Sequence, residues 1–487
     1  MTQIIQKKSN RDHSAGCAQQ NRRAFLQRCG ATALALGGAA WMPSLVRAAA
    51  QPAASRPPNI LIFYIDDMGY GDLACYGGKL AKTPHLDAIA AAGARFTQGY
   101  ISACVCSPSR VGLMTGRYQA HTGHDGLTTT RNPDSSLALN EVTMAQRLKK
   151  LGYATGITGK WHLGDDEKHL PASRGFDFSY GSTTNMGESD NHFYSGTKTV
   201  PIPGPITSPI YRDKAIEFIK ANRDKPFFLY LPFNAVHAKH VASQKWLDHF
   251  KERSPQEAAY GADIEEMDDA VGGVMQSLLE LNLEENTLIF CISDNGGPQT
   301  PCVDNGGLRG GKWWLWEGGI RVPFIVHWKG RIPTGQVIHT PAIQLDVLPT
   351  VLAAAGAAID PTWELDGVNL LPLLENKTKQ LDRDTLCWRF CVQYAIRKGD
   401  WKLVKPYSDA PPRLINLAND PCEKNDLAQQ QPEKVKELQA AYDAWNKRMK
   451  PPRWDDKRAS HLIQNGDKLI HDRKGKGKGS PKFVDEG

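Results

Sequence analysis

Asn59-Ile-Leu-Ile-Phe-Tyr-Ile65 is apolar at every position after the first. A run of strand length with no polar alternation has no face to offer water, so it suits a strand covered by helices on both sides. Asp66-Asp67 follows it directly. The rhythm then repeats: a helix over Thr143–Leu151 precedes a strand over Ala154–Thr158, a helix over Tyr211–Asn222 precedes Pro226–Leu231, and a helix over Pro255–Leu283 precedes Thr287–Ser293. Thr83 as N-cap and Pro84 in the first turn open a further helix that ends near Gly93. Alternating helix and strand predicts an α/β fold built on a large, mostly parallel sheet flanked by helices. Ligands of such sheets bind beyond the carboxyl ends of the strands. There the sequence places Asp66-Asp67, Gly159-Lys160-Trp161-His162, His237 and Asp294-Asn295.

After residue 380 the texture changes to short pieces, Cys387–Cys391, Tyr394–Arg397, Trp401–Val404 and Arg413–Asn416, separated by turn residues. They predict a small antiparallel sheet closed by an amphipathic helix, Glu433–Met449. The expected organisation is a leader over 1–48, a catalytic α/β domain over 49–380, a C-terminal subdomain over 381–450 and a basic, mobile tail over 451–487.

The net charge of +7 divides unevenly: residues 1–50 carry +6 and residues 451–487 carry +3, which leaves the middle at −2. That balance gives the folded part no reason to bind nucleic acid. Asn21-Arg22-Arg23-Ala24-Phe25-Leu26, the apolar run Ala31 to Ala40 and Val46-Arg47-Ala48 resemble a twin-arginine export signal with a small-residue cleavage site. The resemblance implies a translocase partner and a periplasmic or secreted bacterial protein. No later stretch is long and apolar enough to span a membrane. Of ten cysteines, eight lie beyond the leader, and their spacing matches no zinc motif.

Cys106-Ser-Pro-Ser-Arg110 carries the chemistry. Pro108 suits the first turn of a helix, which puts side chain 106 at that helix's N-terminus, where N–H groups and the dipole favour an anion. Read alone, the site also suits a plain thiol whose pKa Arg110 lowers. Together with Leu-Met-Thr-Gly-Arg117, and through most of residues 58–430, the chain resembles the formylglycine-dependent sulfatases of the alkaline phosphatase superfamily, in which Cys-x-Pro-x-Arg is the substrate of a formylglycine-generating enzyme. Cys104 does not fit that spacing.

Asp66, Asp67, Asp294 and Asn295 offer only oxygen, which selects Ca²⁺ or Mg²⁺ over zinc. The resemblance implies that these four, with residue 106, hold one such ion. It also implies that Arg110, Lys160 and Lys312 bind the sulfate group and that His162 and His237 are catalytic. In the implied mechanism a hydroxyl of the hydrated aldehyde at 106, assisted by Asp294, attacks sulfur while His237 and Lys312 serve the departing oxygen. His162 then takes the second hydroxyl's proton, which expels sulfate.

Trp313, Trp314 and Trp316 are candidates for a sugar-stacking wall beside Lys312, and Glu188, Asp190, His192, His240, His121 and His124 for further pocket lining. The expected substrate is a small or chain-end sulfated sugar, ahead of an aryl sulfate. Two rivals follow: a phosphodiesterase or phosphonate monoester hydrolase of the same superfamily, and a catalytically dead glycan-binding protein.

Overall fold

The computed structural model describes residues 56–454 and 456, apart from 130, 131, 189, 190, 408 and 409. The expected leader, most of the tail and Asp190 lie outside those residues.

Asn59–Ile65 forms the strand β1 at the centre of a ten-stranded sheet. It pairs in parallel with Phe227–Pro232 on one side and Thr287–Ser293 on the other. Ala154–Thr158 extends the parallel block beyond Phe227–Pro232. All four strands fall within a residue of their predicted limits. The short strands of the sheet, such as Ala94–Phe96, Phe193–Ser195 and Phe324–His327, carry too few residues to show a period, and the sequence did not disclose them.

The all-apolar run has a simple cause. Ile60, Ile62 and Tyr64 enter one core layer while Leu61, Phe63 and Ile65 enter the other, so successive side chains both meet protein. Ser208–Ala221 and the long helix Pro255–Glu280 cover the second face. The helix Cys106–Thr115 lies in the first layer with all ten residues buried.

Thr83 does not cap its helix as expected. Its hydroxyl accepts from Ala74 N (3.1 Å), and the first-turn donors His85 N and Leu86 N go instead to the Asp268 carboxylate, at 3.0 and 2.8 Å. A side chain from the long helix therefore satisfies the exposed end that local sequence should have satisfied.

The C-terminal pieces form a four-stranded antiparallel sheet of β2 (Thr385–Phe390), β3 (Gln393–Lys398), β4 (Trp401–Lys405) and β5 (Arg413–Asn416). The helix Pro432–Asn446 packs on it through Leu438, Tyr442 and Trp445, with Tyr442 stacked 4.3 Å from Tyr394. The end of the C-terminal subdomain and the described residues of the tail make contacts with the catalytic part of the chain. Lys450 N and Arg453 N donate to Ala120 and Gly123 carbonyls (3.1 and 2.9 Å), and Asp456 accepts from Leu127 N (2.9 Å). Among the described residues no helix is long and apolar enough to cross a membrane.

Candidate active site

Backbone pairing of the parallel strands continues past their ends and fixes the loops that carry the polar residues. Asp66 N donates to Ala235 O (3.0 Å), Asp294 N to Ile65 O (2.9 Å) and Lys160 N to Pro232 O (2.7 Å). Asp67 turns into the left-handed region at φ 62°, and His162 does so at φ 59°. Non-glycine residues adopt that conformation at a cost that is retained mainly where the surroundings over-determine it. For Asp67 the surroundings are its N–H bonded to Asp294 Oδ1 (3.1 Å) and the next N–H bonded to Ser293 Oγ (3.0 Å).

All ten sequence-predicted site residues come together. One ligand atom each from Asp66, Asp67, Cys106 and Asp294 lie within 4.8 Å of one another, all buried. Cys106 Sγ, in the first turn of its helix, is 3.3 Å from Asp66 Oδ1 and 3.9 Å from Asp67 Oδ1. Arg110 holds Asp294 Oδ2 with two nitrogens (3.1 and 2.7 Å) and donates a third bond to Lys160 O (2.7 Å). Lys160 Nζ contacts Asp66 Oδ2 at 2.5 Å and also Asn185 Oδ1. Lys312 Nζ donates to Asp67 Oδ2 (2.9 Å) and to His237 Nε2 (3.0 Å). Asn185 was not singled out from the sequence, because it sits in an irregular loop with no period or motif. Its own amide is held by Glu188 at 2.6 Å, which links the expected pocket residue Glu188 to Lys160 through one side chain.

The charges explain the ionisation pattern. Burial alone would raise Asp66, but Lys160, then His237, Arg110 and Lys312, hold it well below the usual carboxylate range. Burial and the neighbouring Asp66 charge push Asp294 up to about 7 against the opposing Arg110. Two carboxylates this close raise each other's pKa, because each disfavours the other's charge. Burial, then Lys160 and Arg110, lowers His162 far below its ordinary value, and burial followed by Lys312 lowers His237. Both imidazoles are therefore neutral at pH 7. His237 Nδ1 lies 2.5 Å from the Ala238 carbonyl and so carries the proton, leaving Nε2 to accept from Lys312.

The rival reading of a plain, activated thiol finds no support. Burial, then Asp294 and Asp66, raises Cys106 well above the ordinary thiol range, against Lys160 and Lys312. An unmodified thiolate is thus disfavoured here.

The donor set fits a hard divalent cation. Three carboxylates converge, and Asn295 Oδ1, fully buried, has no hydrogen-bond partner, while its Nδ2 donates to Asp67 Oδ1 (2.6 Å). His162 Nδ1 is likewise buried and unpartnered.

The wider pocket differs from expectation. Trp314 and Trp316 are 6% and 2% exposed and pack in the core, so of the three tryptophans only Trp313 is partly exposed. His121 is paired with Asp366 (3.0 Å), and His124 is buried between Thr128 and Trp454; neither presents a free ring to a substrate. His240 meets Tyr260 edge to face, 4.9 Å away, and His192 is exposed.

The sequence profile described as Sulfatase matches residues 58–357. The chain belongs to the sulfatase family. A second profile, N-sulphoglucosamine sulphohydrolase, C-terminal, matches residues 310–448. Arylsulfatase A of Homo sapiens is 37% identical over 442 residues, covering 79% of this chain and 86% of that protein. N-acetylgalactosamine-6-sulfatase of Homo sapiens is 35% identical over 384 residues, 72% of each. Among solved structures, Ps i-CgsB in complex with k-i-k-neocarrahexaose superposes with a TM-score of 0.77 at 28% identity, covering 87% of this sulfatase and 98% of that chain. The phosphonate monoester hydrolase of Agrobacterium radiobacter, at 19% identity and a TM-score of 0.60, covers 80% of this chain and 96% of its own, and shares the fold. This sulfatase is accordingly a sulfuric ester hydrolase with the alkaline-phosphatase-like architecture.

Proposed function

We propose that this sulfatase removes sulfate from a sulfated sugar, using a formylglycine derived from Cys106 beside one Ca²⁺ or Mg²⁺. The observation that supports this most is the convergence of Cys106, three carboxylates and an unpartnered Asn295 carbonyl oxygen at the first turn of a buried helix. Asp66, Asp67, Asp294, Asn295 and residue 106 would hold the cation, which supplies Lewis-acid stabilisation of sulfate oxygens. The aldehyde hydrate supplies a nucleophile and a second hydroxyl through which sulfate can be expelled.

The chain's own groups do the rest. The formal charges of Asp66, Asp67 and Asp294 balance those of Arg110, Lys160 and Lys312, so a bound divalent ion leaves a positive surplus suited to an anionic ester. Lys160 and Lys312 orient the sulfate group and exclude water from it. The Lys312–His237 pair donates a proton toward the departing alcohol oxygen, since His237 Nε2 faces the lysine ammonium. Neutral His162, with Nδ1 unpartnered, accepts a proton in the step that releases sulfate. A sugar ester is favoured over an aryl ester by the sulfated-glycan neighbour and the half-open Trp313.

Peptide mass spectrometry of active protein tests the nucleophile: position 106 carries an aldehyde, Cys106→Ser abolishes activity, and Cys104→Ser keeps most of it. An active preparation with residue 106 wholly unmodified would refute the proposal. Turnover of an aryl sulfate, an aryl phosphate and sulfated sugars separates the phosphoryl rivals. The leader motif supports export by the twin-arginine route with the mature chain starting near residue 49; Arg22→Lys with Arg23→Lys then retains the protein in the cytoplasm, and unchanged periplasmic yield would refute that routing.

A further inference from the structure

Taking sulfate-ester hydrolysis as the chemistry of the site, we propose that Trp313 is the platform on which the sulfate-bearing pyranose ring stacks, and that Gln393 of the C-terminal sheet positions it. Trp313 holds φ 80°, in the left-handed region, where a bulky side chain is a rare and costly occupant. Trp314 and Trp316, which only pack, do not share that conformation. The strain therefore has to be held in place, and three hydrogen bonds hold it. Trp313 N donates to Cys104 O (3.0 Å), Gln393 Nε2 donates to Trp313 O (2.8 Å), and Leu315 N donates to Gln393 Oε1 (3.3 Å). Gln393, buried at the start of β3, thus devotes both ends of its amide to one loop of the active site.

What the conformation achieves is the placement of an indole beside the chemistry. Lys312 Nζ lies 6.0 Å from the Trp313 ring centroid, and the same ammonium reaches Asp67 and His237. The ring also neighbours Phe390 of β2, centroids 6.0 Å apart and planes inclined at 50°. Trp313 remains half-buried, and Val392, in the β2–β3 turn between Phe390 and Gln393, is 42% exposed. A partly exposed indole next to cations that take an anion matches a ligand with a charged substituent on one edge and an apolar C–H face, which describes a sulfated pyranose. Packing alone would not need the left-handed turn.

The test compares matured wild type with W313A, W313F, W313G and Q393E on N-acetylgalactosamine 6-sulfate, galactose 6-sulfate and 4-nitrophenyl phosphate. Ionised glutamate at 393 still accepts from Leu315 N but cannot donate to Trp313 O, so Q393E, assayed at a pH where that buried carboxyl is ionised, loosens the ring. We expect W313A and Q393E to raise KM for the sugar sulfate at least tenfold with kcat within threefold, and W313F to recover most of the loss. W313G should melt no lower than W313A despite glycine's ordinary cost, because only alanine pays for φ 80°. Unchanged KM in W313A, or a loss confined to kcat, would overturn the platform. W313G melting below W313A would overturn the strain argument that supports it. Wild type that turns over the aryl phosphate and neither sugar sulfate would overturn the sulfatase reading and this inference together, whereas the first two outcomes leave that reading standing.

Discussion

Two buried charge clusters sit in this molecule, and they are finished differently. The catalytic cluster joins Asp66, Asp67 and Asp294 to Arg110, Lys160 and Lys312 and still leaves Asn295 Oδ1 and His162 Nδ1 without protein partners. The second lies where the catalytic sheet meets the C-terminal one. Lys402 bridges Glu317 and Glu423 at 2.9 Å each, Glu317 also accepts from Tyr100 OH (2.6 Å), and Tyr100 OH in turn accepts from Arg397 (2.5 Å). Glu423 Oε2 also accepts from the Glu317 backbone N–H (2.6 Å), and Glu423 Oε1, which makes no hydrogen bond of good geometry, is held by the Lys402 ion pair, so every charge of this cluster has an opposite charge within the protein. A cluster with unused valences is built to receive something, and a closed one is built to hold two layers together.

That difference can be broken most directly with Asp67→Asn. Its isosteric amide cannot carry charge, and activity should fall about 10³-fold or more. A chelator should lower the melting temperature of wild type and leave that of the variant nearly unmoved, measured by thermal scans with and without added Ca²⁺. Equal chelator shifts in both proteins would mean the cation sits elsewhere. The second cluster should show the reverse. Lys402→Met strands two buried carboxylates and should cost about 3–5 kcal/mol in denaturant unfolding, with no dependence of that cost on Ca²⁺. A cost under 1 kcal/mol would refute the closed-cluster account.

Within the catalytic cluster, the two histidines sharpen the picture. His237→Ala should reduce turnover of a sugar sulfate about 10²-fold and of 4-nitrophenyl sulfate about tenfold or less, because an acidic phenol needs little protonation. His162→Ala should release alcohol once per site and then stall, seen as a burst in single-turnover assays. Equal losses on both esters, without a burst, would reverse these roles. The smallest effect is a proton effect at the second cluster. Burial and the Glu317 charge push Glu423 from 4.5 up to about 7, against Lys402. A carboxyl raised on folding stabilises fully below pH 4.5 and loses that contribution as pH rises through about 7. Denaturant unfolding across that window should show wild type losing about 1–3 kcal/mol more than Glu423→Gln; parallel profiles would assign the slope to other groups.

The two clusters also differ in how far the sequence disclosed them. Asp66-Asp67, Cys106 and Asp294-Asn295 sit next to uninterrupted apolar strands or inside a motif, so local pattern and resemblance both marked them. Glu317, Lys402 and Glu423 sit in three unrelated segments, and only folding makes them neighbours. Asn185 and Gln393 were silent for the same reason, as an amide has no charge pattern and its partners are distant in the chain. Thr83 looked like a cap because caps are recognised locally, while the actual acceptor, Asp268, lies on another helix. The tryptophans show the limit from the other side: composition marked three candidates, and burial left one.

The burial of Cys106–Thr115 bears on the order of events in the cell. Side chain 106 is 1% exposed, and every residue of its helix is covered by protein. If an enzyme converts Cys106 to formylglycine, it must act while that segment is still unfolded, so maturation competes in time with the closing of the first core layer. An export route that carries finished proteins would then come last. On that schedule, the share of active molecules is set by which happens first to a new chain, modification or folding, and slowing the folding of the first layer should raise the fraction modified.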